Sequence, residues 1–402
     1  TAMLDFDVAQ SRLAVAGKRP ESSEICPLHQ ASGRVLAKSV IATLDLPPAD
    51  NSAMDGYAIC LADYQPGRSF PIQQRCFAGQ QPEALQRGNA IRLFTGSLMP
   101  EGADAVIMQE DCTEADNCVT INQAPDAGQH VRKQGEDVKK GRPVLAAGTL
   151  IGAAEIALLA SQGLAQLDVY PRLKIGILTT GDELVTPGQP LNSAQIYNSN
   201  GPMLAALGGS LNAAVIHVLH AADTFESLHK AFTTLLDDCD LVLTVGGVSV
   251  GEKDLVKPAI EQLGGTLDLW KVNMKPGKPV ALAYAKDKPI VCLPGNPVSA
   301  FAVFTLLVSP LIRTMQGRTD VLPATQYGTL DTQVSFVGTR EEFIRVQAQY
   351  AQEGATLAPY AQQGSGVISS LPWASGFARI PPNTTVGHGA VLRYYDCRHW
   401  LV

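Results

Sequence analysis

Residues 244–257 read Thr-Val-Gly-Gly-Val-Ser-Val-Gly-Glu-Lys-Asp-Leu-Val-Lys and lie between an apolar run, Leu241 to Val245, and a helix-like pattern, Leu255 to Leu263. A strand, a glycine-rich turn and a helix in that order predict an anion site. Small residues let backbone amides approach a phosphate, and the N-terminus of a helix carries about half a positive charge. The acid Asp254, flanked by Lys253 and Lys257, adds both signs of charge, which predicts a loop able to hold a phosphate and a metal ion together.

Apolar strands alternate with helical patterns on both sides of this stretch. Strands are predicted at Leu173 to Leu178, Ala213 to Leu219, Leu241 to Val245, Val280 to Tyr284 and Ile290 to Leu293, and helices at 199–208, 224–236, 255–263 and 298–315. This alternation predicts a parallel sheet covered by helices on both faces. Ligands of such sheets bind at the carboxyl ends of the strands, where the motifs after residues 178 and 245 are expected to lie.

The flanking regions have a different pattern. Residues 3–16 predict an amphipathic helix, and 46–145 contain short β-like runs separated by Gly and Pro, which indicates a β-rich domain. After about residue 320 the pattern returns to β, with short strands predicted at Glu342 to Gln347, Val367 to Leu371 and Ala390 to Tyr394. A length of 402 residues fits two to four domains.

Composition narrows the class of protein. The net charge of −7 argues against broad nucleic-acid binding, and the eight scattered cysteines, without a Cys-x-x-Cys pair, argue against a disulfide framework or a zinc site. Reduced thiols predict a cytoplasmic protein. The apolar helix pattern at 298–312 is too short and interrupted for a membrane span, and the first residues show no signal-peptide pattern.

Three motifs supply carboxylates, each with a structural alternative. Asp55 lies in Asp50-Asn51-Ser52-Ala53-Met54-Asp55-Gly56-Tyr57-Ala58, which is equally a turn rich in side-chain-to-backbone hydrogen bonds. Asp137 lies in a loop rich in basic residues, for which a solvated charged loop is the stronger interpretation from the sequence alone. Thr180-Gly181-Asp182-Glu183 follows a predicted strand, where clustered acids need a cation or hydrogen bonds to neutralise them, or else cap the next turn.

Two further motifs favour anion binding. Lys275-Pro276-Gly277-Lys278-Pro279 places two ammonium groups on a stiff turn between strands, which suits an oxyanion, although a solvated turn is the alternative. Leu293-Pro294-Gly295-Asn296-Pro297-Val298-Ser299 opens a helix, with Asn296 as N-cap and Pro297 at the first helical position. Its N-terminus predicts a second anion site, to which Ser299 could donate.

Together these motifs predict a phosphorylated, nucleotide-bearing ligand with a divalent metal at one edge of the sheet. Mg²⁺ commonly lies between carboxylates and substrate phosphates. No Ser/His/Asp or Cys/His pairing stands out, so acyl-enzyme chemistry has no support. The sequence also lacks a Walker A motif and a GxGxxG fingerprint.

In this combination and order, the motifs resemble those of the MoeA family, the molybdopterin molybdenumtransferases, which are related to the E domain of gephyrin. The resemblance rests on residues 50–58, 135–137, 180–184, 246–251, 275–279 and 293–299. It implies a multidomain α/β plus β fold. The expected parts are a split helical and extended domain (1–45 and 146–172), an inserted β-rich domain (46–145), a doubly wound, MogA-like α/β domain that binds molybdopterin (173–320) and a small C-terminal β domain (321–402).

The resemblance also implies an activity: Mg²⁺-dependent insertion of molybdenum from molybdate into adenylated molybdopterin, with release of AMP. It implies a homodimer with active sites at the subunit interface. The molybdopterin adenylyltransferase and other proteins of the cofactor pathway are the implied partners, with no nucleic acid and no membrane.

Roles carry over motif by motif. The acids Asp55, Asp137, Glu183 and Asp254 would handle the metal and the charged groups of the substrate, and Lys275 and Lys278 would hold molybdate or phosphate. The substrate-binding set would be Gly246, Gly247, Ser249, Gly251, Asn296, Pro297 and Ser299, with Arg345 and Ser370 as candidate contacts from the C-terminal domain. Asp223 lies where the family often has an acid.

Two other functions remain alternatives. One is adenylyl transfer from ATP to molybdopterin, the sister activity on the same α/β domain. The motifs at 50–58 and 275–279 and the flanking domains argue against it. The other is a non-catalytic scaffold, as in the gephyrin relative, against which the complete set of acidic and basic residues argues.

Overall fold

A computed structural model describes residues 2–247 and 254–402 of the chain. The helices and strands before residue 172 are α1 Phe6–Ala14, β1 Glu24–Pro27, β2 Val40–Ile41, β3 Asn51–Ser52, β4 Gly56–Ile59, β5 Ser69–Cys76, β6 Ala90–Leu93, β7 Ala105–Met108, β8 Cys112–Ala115, β9 Cys118–Ile121, β10 Val131–Arg132, β11 Pro143–Leu145, α2 Ala153–Ser161 and β12 Gln166–Val169. Strand β1 pairs with β12, and β2 with β11. The segments 24–41 and 143–169 therefore belong to one unit, which the chain leaves and later rejoins. Between these crossings, β3 pairs with β10, and a six-stranded sheet has the order β7-β4-β6-β5-β9-β8.

Helix α1 begins where Asp5 caps it. The Asp5 carboxylate accepts hydrogen bonds from the backbone amides of Asp7 (2.9 Å) and Val8 (3.2 Å), which satisfies two of the free donors of the first turn. One face of the helix, with Phe6 and Leu13, is fully buried in the core of the next domain.

The central domain contains β13 Lys174–Thr180, β14 Leu184–Val185, β15 Ile196–Tyr197, α3 Asn200–Ser210, β16 Ala214–Ala221, α4 Phe225–Asp238, β17 Leu241–Val245, α5 Val256–Gln262, β18 Thr266–Lys271, β19 Pro279–Ala285, β20 Lys288–Leu293 and α6 Pro297–Met315. Its sheet has the order β16-β13-β17-β20-β19-β18. Alternate residues of β17 enter different cores, since Leu241 and Leu243 pack towards α3 and α6, and Val242 towards α4 and α5. The domain therefore has three layers, with helices on both faces of the sheet.

The sheet is mixed, so the prediction of an all-parallel sheet was wrong at one edge. Strands β16, β13, β17 and β20 are parallel, but β19 runs antiparallel to both of its neighbours. A tight turn at Lys286 and Asp287, both with positive φ (50° and 60°), joins β19 to β20 and leaves no room for a crossover helix. Strand β18, at the edge of the sheet and mostly exposed, was not predicted.

Helix α6 forms the centre of the core. It runs for 19 residues with a π-helical segment, Phe304–Val308, and is the single helix in the described residues that is long and apolar enough to cross a membrane. Its apolar window is 94% buried inside the protein, against the sheet and α1. This burial is that of a core helix, although its length and composition would also suit a membrane span.

The C-terminal region contains β21 Gln326–Leu330, β22 Glu342–Ala351, β23 Gly354–Pro359, α7 Ser370–Trp373, β24 Gly376–Ile380, β25 Val391–Asp396 and α8 Cys397–Trp400. The strands close into a barrel of order β21-β23-β22-β24-β25. The strand predicted at Val367 to Leu371 is wrong, because Ser370 turns back to bond the carbonyl of Val367 and opens α7 instead. Backbone hydrogen bonds of Lys275 with Glu341 and Phe343 (both 2.8 Å) join the barrel to the central domain.

Candidate active site

A first cavity of about 140 Å³ opens at the carboxyl ends of β13 and β17. Its walls include Thr180, Glu183, Asn198, Gly246, Asn296 and Pro297. Strands β13 and β17 are direct neighbours, with Thr179 opposite Val245, so the turns that follow them meet at this edge. This is the position at which open α/β sheets bind ligands.

The glycines of the turn after β17 are required by its geometry. Gly246 has a φ of 91°, and a Cβ there would lie 2.7 Å from Thr180 Oγ1. Gly247 has a φ of 72°, and its Cβ would lie 2.5 Å from Val256 Cγ2. Both positions combine a left-handed backbone with close packing, so a side chain is excluded twice over. The other two residues predicted for this turn, Ser249 and Gly251, lie outside the described residues.

Some of the acids at this edge hold neighbouring strands together, whereas others are available to bind a ligand. Asp182 and Asp223 each accept a hydrogen bond from the other's backbone amide (both 3.2 Å), which ties the ends of β13 and β16 together. Glu183 is exposed and lines the first cavity. Asp254 is half-buried and, among the described residues, accepts a hydrogen bond from the Val256 amide (3.2 Å). Burial raises the pKa of the Asp254 carboxyl, because it removes water from the charged form.

A second cavity, of about 210 Å³, lies between the central domain and the barrel. Its walls are Lys275, Pro276, Gly277, Lys278, Pro279, Ser299, Arg340, Gln363 and Ser365. The Lys275 ammonium lies 3.6 Å from a carboxylate oxygen of Glu342. Within 2–247 and 254–402, neither Lys278 nor Arg340 forms a salt bridge, so this cavity has uncompensated positive charge.

The two cavities share the start of α6. Asn296 and Pro297 line the first, and Ser299 lines the second. Asn296 stands at the N-cap position, but its side chain makes no capping hydrogen bond and instead donates to Ser365 Oγ (3.2 Å), contrary to the predicted capping role. No side chain among the described residues therefore caps the first amides of the helix, which lie between the cavities, and this favours an anion there.

Arg345 and Ser370, the predicted contacts from the barrel, lie behind the second cavity. Arg345 is fully buried and donates to Ser370 Oγ (3.0 Å), the Gln363 carbonyl (3.2 Å) and the Gly364 carbonyl (2.7 Å). Burial lowers the pKa of its guanidinium. These bonds fix the loop that presents Gln363 and Ser365, and neither Arg345 nor Ser370 lines the cavity itself.

Asp55 and Asp137 lie in the inserted region and line neither cavity. The Asp55 carboxylate accepts hydrogen bonds from the backbone amide (2.8 Å) and hydroxyl (3.0 Å) of Thr95, which lower the pKa of Asp55. Asp137 is exposed. Among the residues that the structure describes, no three His, Cys, Asp or Glu side chains lie together as a metal site, so one chain does not gather the four predicted metal ligands.

The sequence did not point to Arg340, Gln363 or Ser365. They reach the cavity because the barrel docks beside the Lys275 turn, through contacts between residues more than 60 positions apart. Arg340 precedes two glutamates, which gave it the appearance of an ordinary charged surface.

The sequence and the fold both match known proteins. Residues 4–163 match the family described as MoeA N-terminal region (domain I and II), 176–314 the probable molybdopterin binding domain, and 327–396 the MoeA C-terminal region (domain IV). A molybdopterin molybdenumtransferase of Haemophilus influenzae is 41% identical over 318 residues, covering 79% of this chain and 78% of that protein. The chain belongs to the MoeA family.

Other MoeA relatives match over nearly the whole length. Molybdopterin molybdenumtransferase 2 of Mycobacterium tuberculosis is 35% identical over 382 residues, covering 92% of this chain and 94% of that protein. The crystal structure of the molybdopterin biosynthesis moeA protein from Pyrococcus horikoshii OT3 superposes with a TM-score of 0.82 at 28% identity, covering 98% of this chain and all of that one. The family resemblance and the fold class inferred from the sequence are confirmed.

Proposed function

We propose that this MoeA-family chain is a molybdopterin molybdenumtransferase of molybdenum cofactor biosynthesis. It inserts molybdenum from molybdate into adenylated molybdopterin and releases AMP, with Mg²⁺ as the required ion. Family membership and the names of the curated relatives support the reaction class. The observation that carries the proposal is the pair of cavities on either side of the start of α6.

The two cavities suit two anionic substrates. Molybdate is a small tetrahedral dianion, and Lys275, Lys278 and Arg340 surround a cavity of matching charge. The first cavity offers the strand ends and the glycine turn, which suit the phosphates and the heterocycle of the second substrate. Bringing two anions together is repulsive, and fixed cations with free helix amides offset that repulsion without reorganising during the reaction.

Glu183 and Asp254 are the residues on this edge that fit Mg²⁺. They follow neighbouring strands, and Asp254 is a half-buried carboxylate, a group that a cation would stabilise. Mg²⁺ commonly takes one or two carboxylates and fills its shell with water and substrate phosphate. When bound, the ion neutralises charge on the departing phosphate. The chain itself contributes binding and orientation, with the lysines and Ser299 holding the oxyanion.

Asp55 and Asp137 would reach the site from a second copy of the chain. Both carboxylates lie outside the cavities of their own chain, on the inserted domain, and both residues are exposed. A homodimer in which each inserted domain faces the partner's cavities would complete the acidic set. We also place the enzyme in the cytoplasm, with no membrane or nucleic-acid partner. An adenylated substrate requires an adenylyl-transfer reaction upstream, so the adenylyltransferase is the proposed delivery partner.

The test uses purified protein with adenylated molybdopterin, with and without molybdate and Mg²⁺. AMP is measured by chromatography, and molybdenum insertion by activation of an apo-molybdoenzyme. The proposal requires AMP release that depends on both molybdate and Mg²⁺. AMP release unchanged without molybdate would contradict it, and adenylated product from ATP and molybdopterin would establish the sister activity instead.

The dimer is tested by mixing two inactive variants, Asp55→Ala and Lys278→Ala. If the inserted domain of one chain serves the cavities of the other, half of the randomly mixed dimers have one intact site, and about a quarter of wild-type activity returns. A site built within one chain gives no intact site in the mixed dimer. Failure to recover activity therefore rejects the shared site without rejecting the reaction.

A further inference from the structure

Arg92 lies buried in the inserted domain between two aromatic rings. It is 7% exposed, and its guanidinium carbon lies 5.0 Å from the centre of the Tyr57 ring and 4.7 Å from that of Phe94. Phe94 in turn stacks on Phe77, with ring centres 4.5 Å apart. The four side chains form a column, in which the guanidinium lies within cation–π distance of both the Tyr57 and the Phe94 rings.

The charge of Arg92 has no salt-bridge partner within the described residues. One terminal nitrogen donates to Gln109 Oε1 (2.5 Å), and the other has no hydrogen-bond partner in the described parts of the chain. The neighbouring carboxylate of Glu114 is bound by Arg75 and by the Tyr57 hydroxyl. Burying a guanidinium is costly, and an apolar residue would fill the same space at lower cost, so packing alone does not account for the arginine.

The contacts of Arg92 converge on Asp55 from two sides. Phe94, stacked on the guanidinium, is followed by Thr95, whose amide and hydroxyl hold the Asp55 carboxylate. Gln109, bonded to Arg92, donates its backbone amide to the Asp55 carbonyl (3.0 Å).

The strands around the turn that carries Asp55 are closely packed. Tyr57 lies opposite Arg92 in the sheet, and Gly56 lies so close to β7 that a Cβ would be 2.0 Å from the carbonyl oxygen of Ile107. A change at Arg92 is therefore transmitted to the turn that carries Asp55, rather than absorbed by spare volume.

We propose that Arg92 is a positioning residue that fixes Asp55 through Phe94–Thr95 on one side and Gln109 on the other. This inference rests on the proposed function for its catalytic meaning, since it assumes that Asp55 acts in the transfer. Arg92 is buried and acts through Asp55, without touching substrate.

The test compares Arg92→Leu and Arg92→Lys with a control, Arg87→Leu. Arg87 is an arginine of the same domain that binds a different carboxylate, Asp63 (2.5–3.0 Å), at the surface. Amide hydrogen exchange is followed by mass spectrometry in peptides that contain Thr95 and Gln109. We expect Arg92→Leu to speed exchange at these amides about tenfold with the rest of the domain unchanged, and Arg87→Leu to leave them at the wild-type rate.

Activity supplies the second readout. Arg92→Leu should lower kcat about tenfold or more with the KM for molybdate within about twofold, because misplacing a catalytic group costs turnover rather than binding. Arg92→Lys should recover part of the loss, since an ammonium still binds an aromatic face. In an Asp55→Asn background the effect of Arg92→Leu should vanish.

Two results would overturn the inference. One is unchanged exchange at Thr95 and Gln109 in Arg92→Leu. The other is a loss of activity that adds in full to that of Asp55→Asn. If the wild-type protein releases no AMP, the proposed function fails, while the exchange data still decide whether Arg92 fixes the Asp55 turn.

Discussion

The amino edge of the central sheet has a cavity of about 260 Å³ beside the segment 18–22, whereas the two cavities at the carboxyl edge measure about 140 and 210 Å³. The larger cavity is also rich in charge, and its walls include Lys18, Arg19, Arg172, Asp240 and Lys288. Volume and charge alone would therefore select the amino edge.

Hydrogen bonding and the sign of the charges together separate the two edges. At the amino edge, Arg19 and Lys288 donate to the carbonyls of Arg318 (3.0 Å) and Leu236 (2.5 Å), and the Asp240 carboxylate accepts from the Lys174 amide (2.9 Å). At the carboxyl edge, Lys278 has no salt bridge within the described chain, as Lys18 has none at the amino edge, and Arg340 donates to the Met274 carbonyl (3.3 Å). The walls of the amino-edge cavity also carry the acids Glu21, Asp240 and Asp287, whereas no acid among the described residues lines the second cavity. Charge of a single sign therefore marks an anion site better than size does.

The largest expected effect tests this contrast directly. Lys278→Met with Arg340→Met should lower molybdate-dependent AMP release about 10³-fold, because fixed charges that stabilise an oxyanion are each worth large factors in rate. The measurement is kcat/KM for molybdate. The matched control at the amino edge, Lys18→Met with Arg19→Met, should stay within about twofold. Equal losses at both edges would show that charge of a single sign does not identify the site.

The second prediction concerns two aspartates whose replacement should change the free energy of unfolding in opposite directions. Asp254→Asn should raise the free energy of unfolding at neutral pH, because the folded state keeps the pKa of Asp254 above its ordinary value of 3.8 and so disfavours its charged form. This penalty grows as pH rises from 3.8 to the higher pKa of the folded state, and it disappears at lower pH. The stability gained by Asp254→Asn should therefore vanish in acid. Urea unfolding of wild type and variant between pH 3.5 and about 7 measures it.

Asp240→Asn should instead destabilise the protein, by about 0.5–1.5 kcal/mol, because it weakens the charge-assisted bond to the Lys174 amide. We expect Asp254→Asn to lose activity and Asp240→Asn to retain it. A stabilised and fully active Asp254→Asn protein would contradict the role proposed for that carboxylate.

The smallest expected effect concerns Asn296, which lies between the two carboxyl-edge cavities. Asn296→Ala removes the bond to Ser365 but no helix cap, so unfolding should change by less than about 0.5 kcal/mol. The KM for molybdate should rise about three- to fivefold, since the barrel loop loses one anchor. Lys288→Met at the amino edge is the comparison, with a loss of stability and an unchanged KM. A large drop in stability for Asn296→Ala would mean that its side chain caps the helix after all.

Local patterns in the sequence were enough for most of the central domain. The apolar run Leu241 to Val245 has the boundaries observed in the structure, and the helix predicted at 255–263 is observed at Val256–Gln262. The glycine-rich turns after buried strands also predicted a ligand site at the carboxyl edge of the sheet, because positive φ and close packing leave few other residues acceptable in such turns.

Features set by contacts distant in sequence could not be predicted. Arg340 and Gln363 become site residues only when the barrel docks on the central domain, and the buried role of Arg345 depends on the same loop. Arg92 gave no local signal, since its column is assembled from two strands, β4 and β6, and from Phe77 and Phe94, which follow β5 and β6. The antiparallel strand β19 depends on a two-residue turn, Lys286 and Asp287, that lacks the usual glycine.

The inserted domain is attached through two chain segments that run side by side, with β2 beside β11 and then Leu46 beside Val138. A two-stranded ribbon resists shear within its hydrogen-bonded ladder and bends more readily across it. We expect such an attachment to favour bending of the inserted domain about one axis, so that Asp55 and Thr95 move together. In the proposed homodimer, the distance from Asp55 to the cationic cavity of the other copy would then follow that one angle, and a pair of spin labels can measure it through turnover.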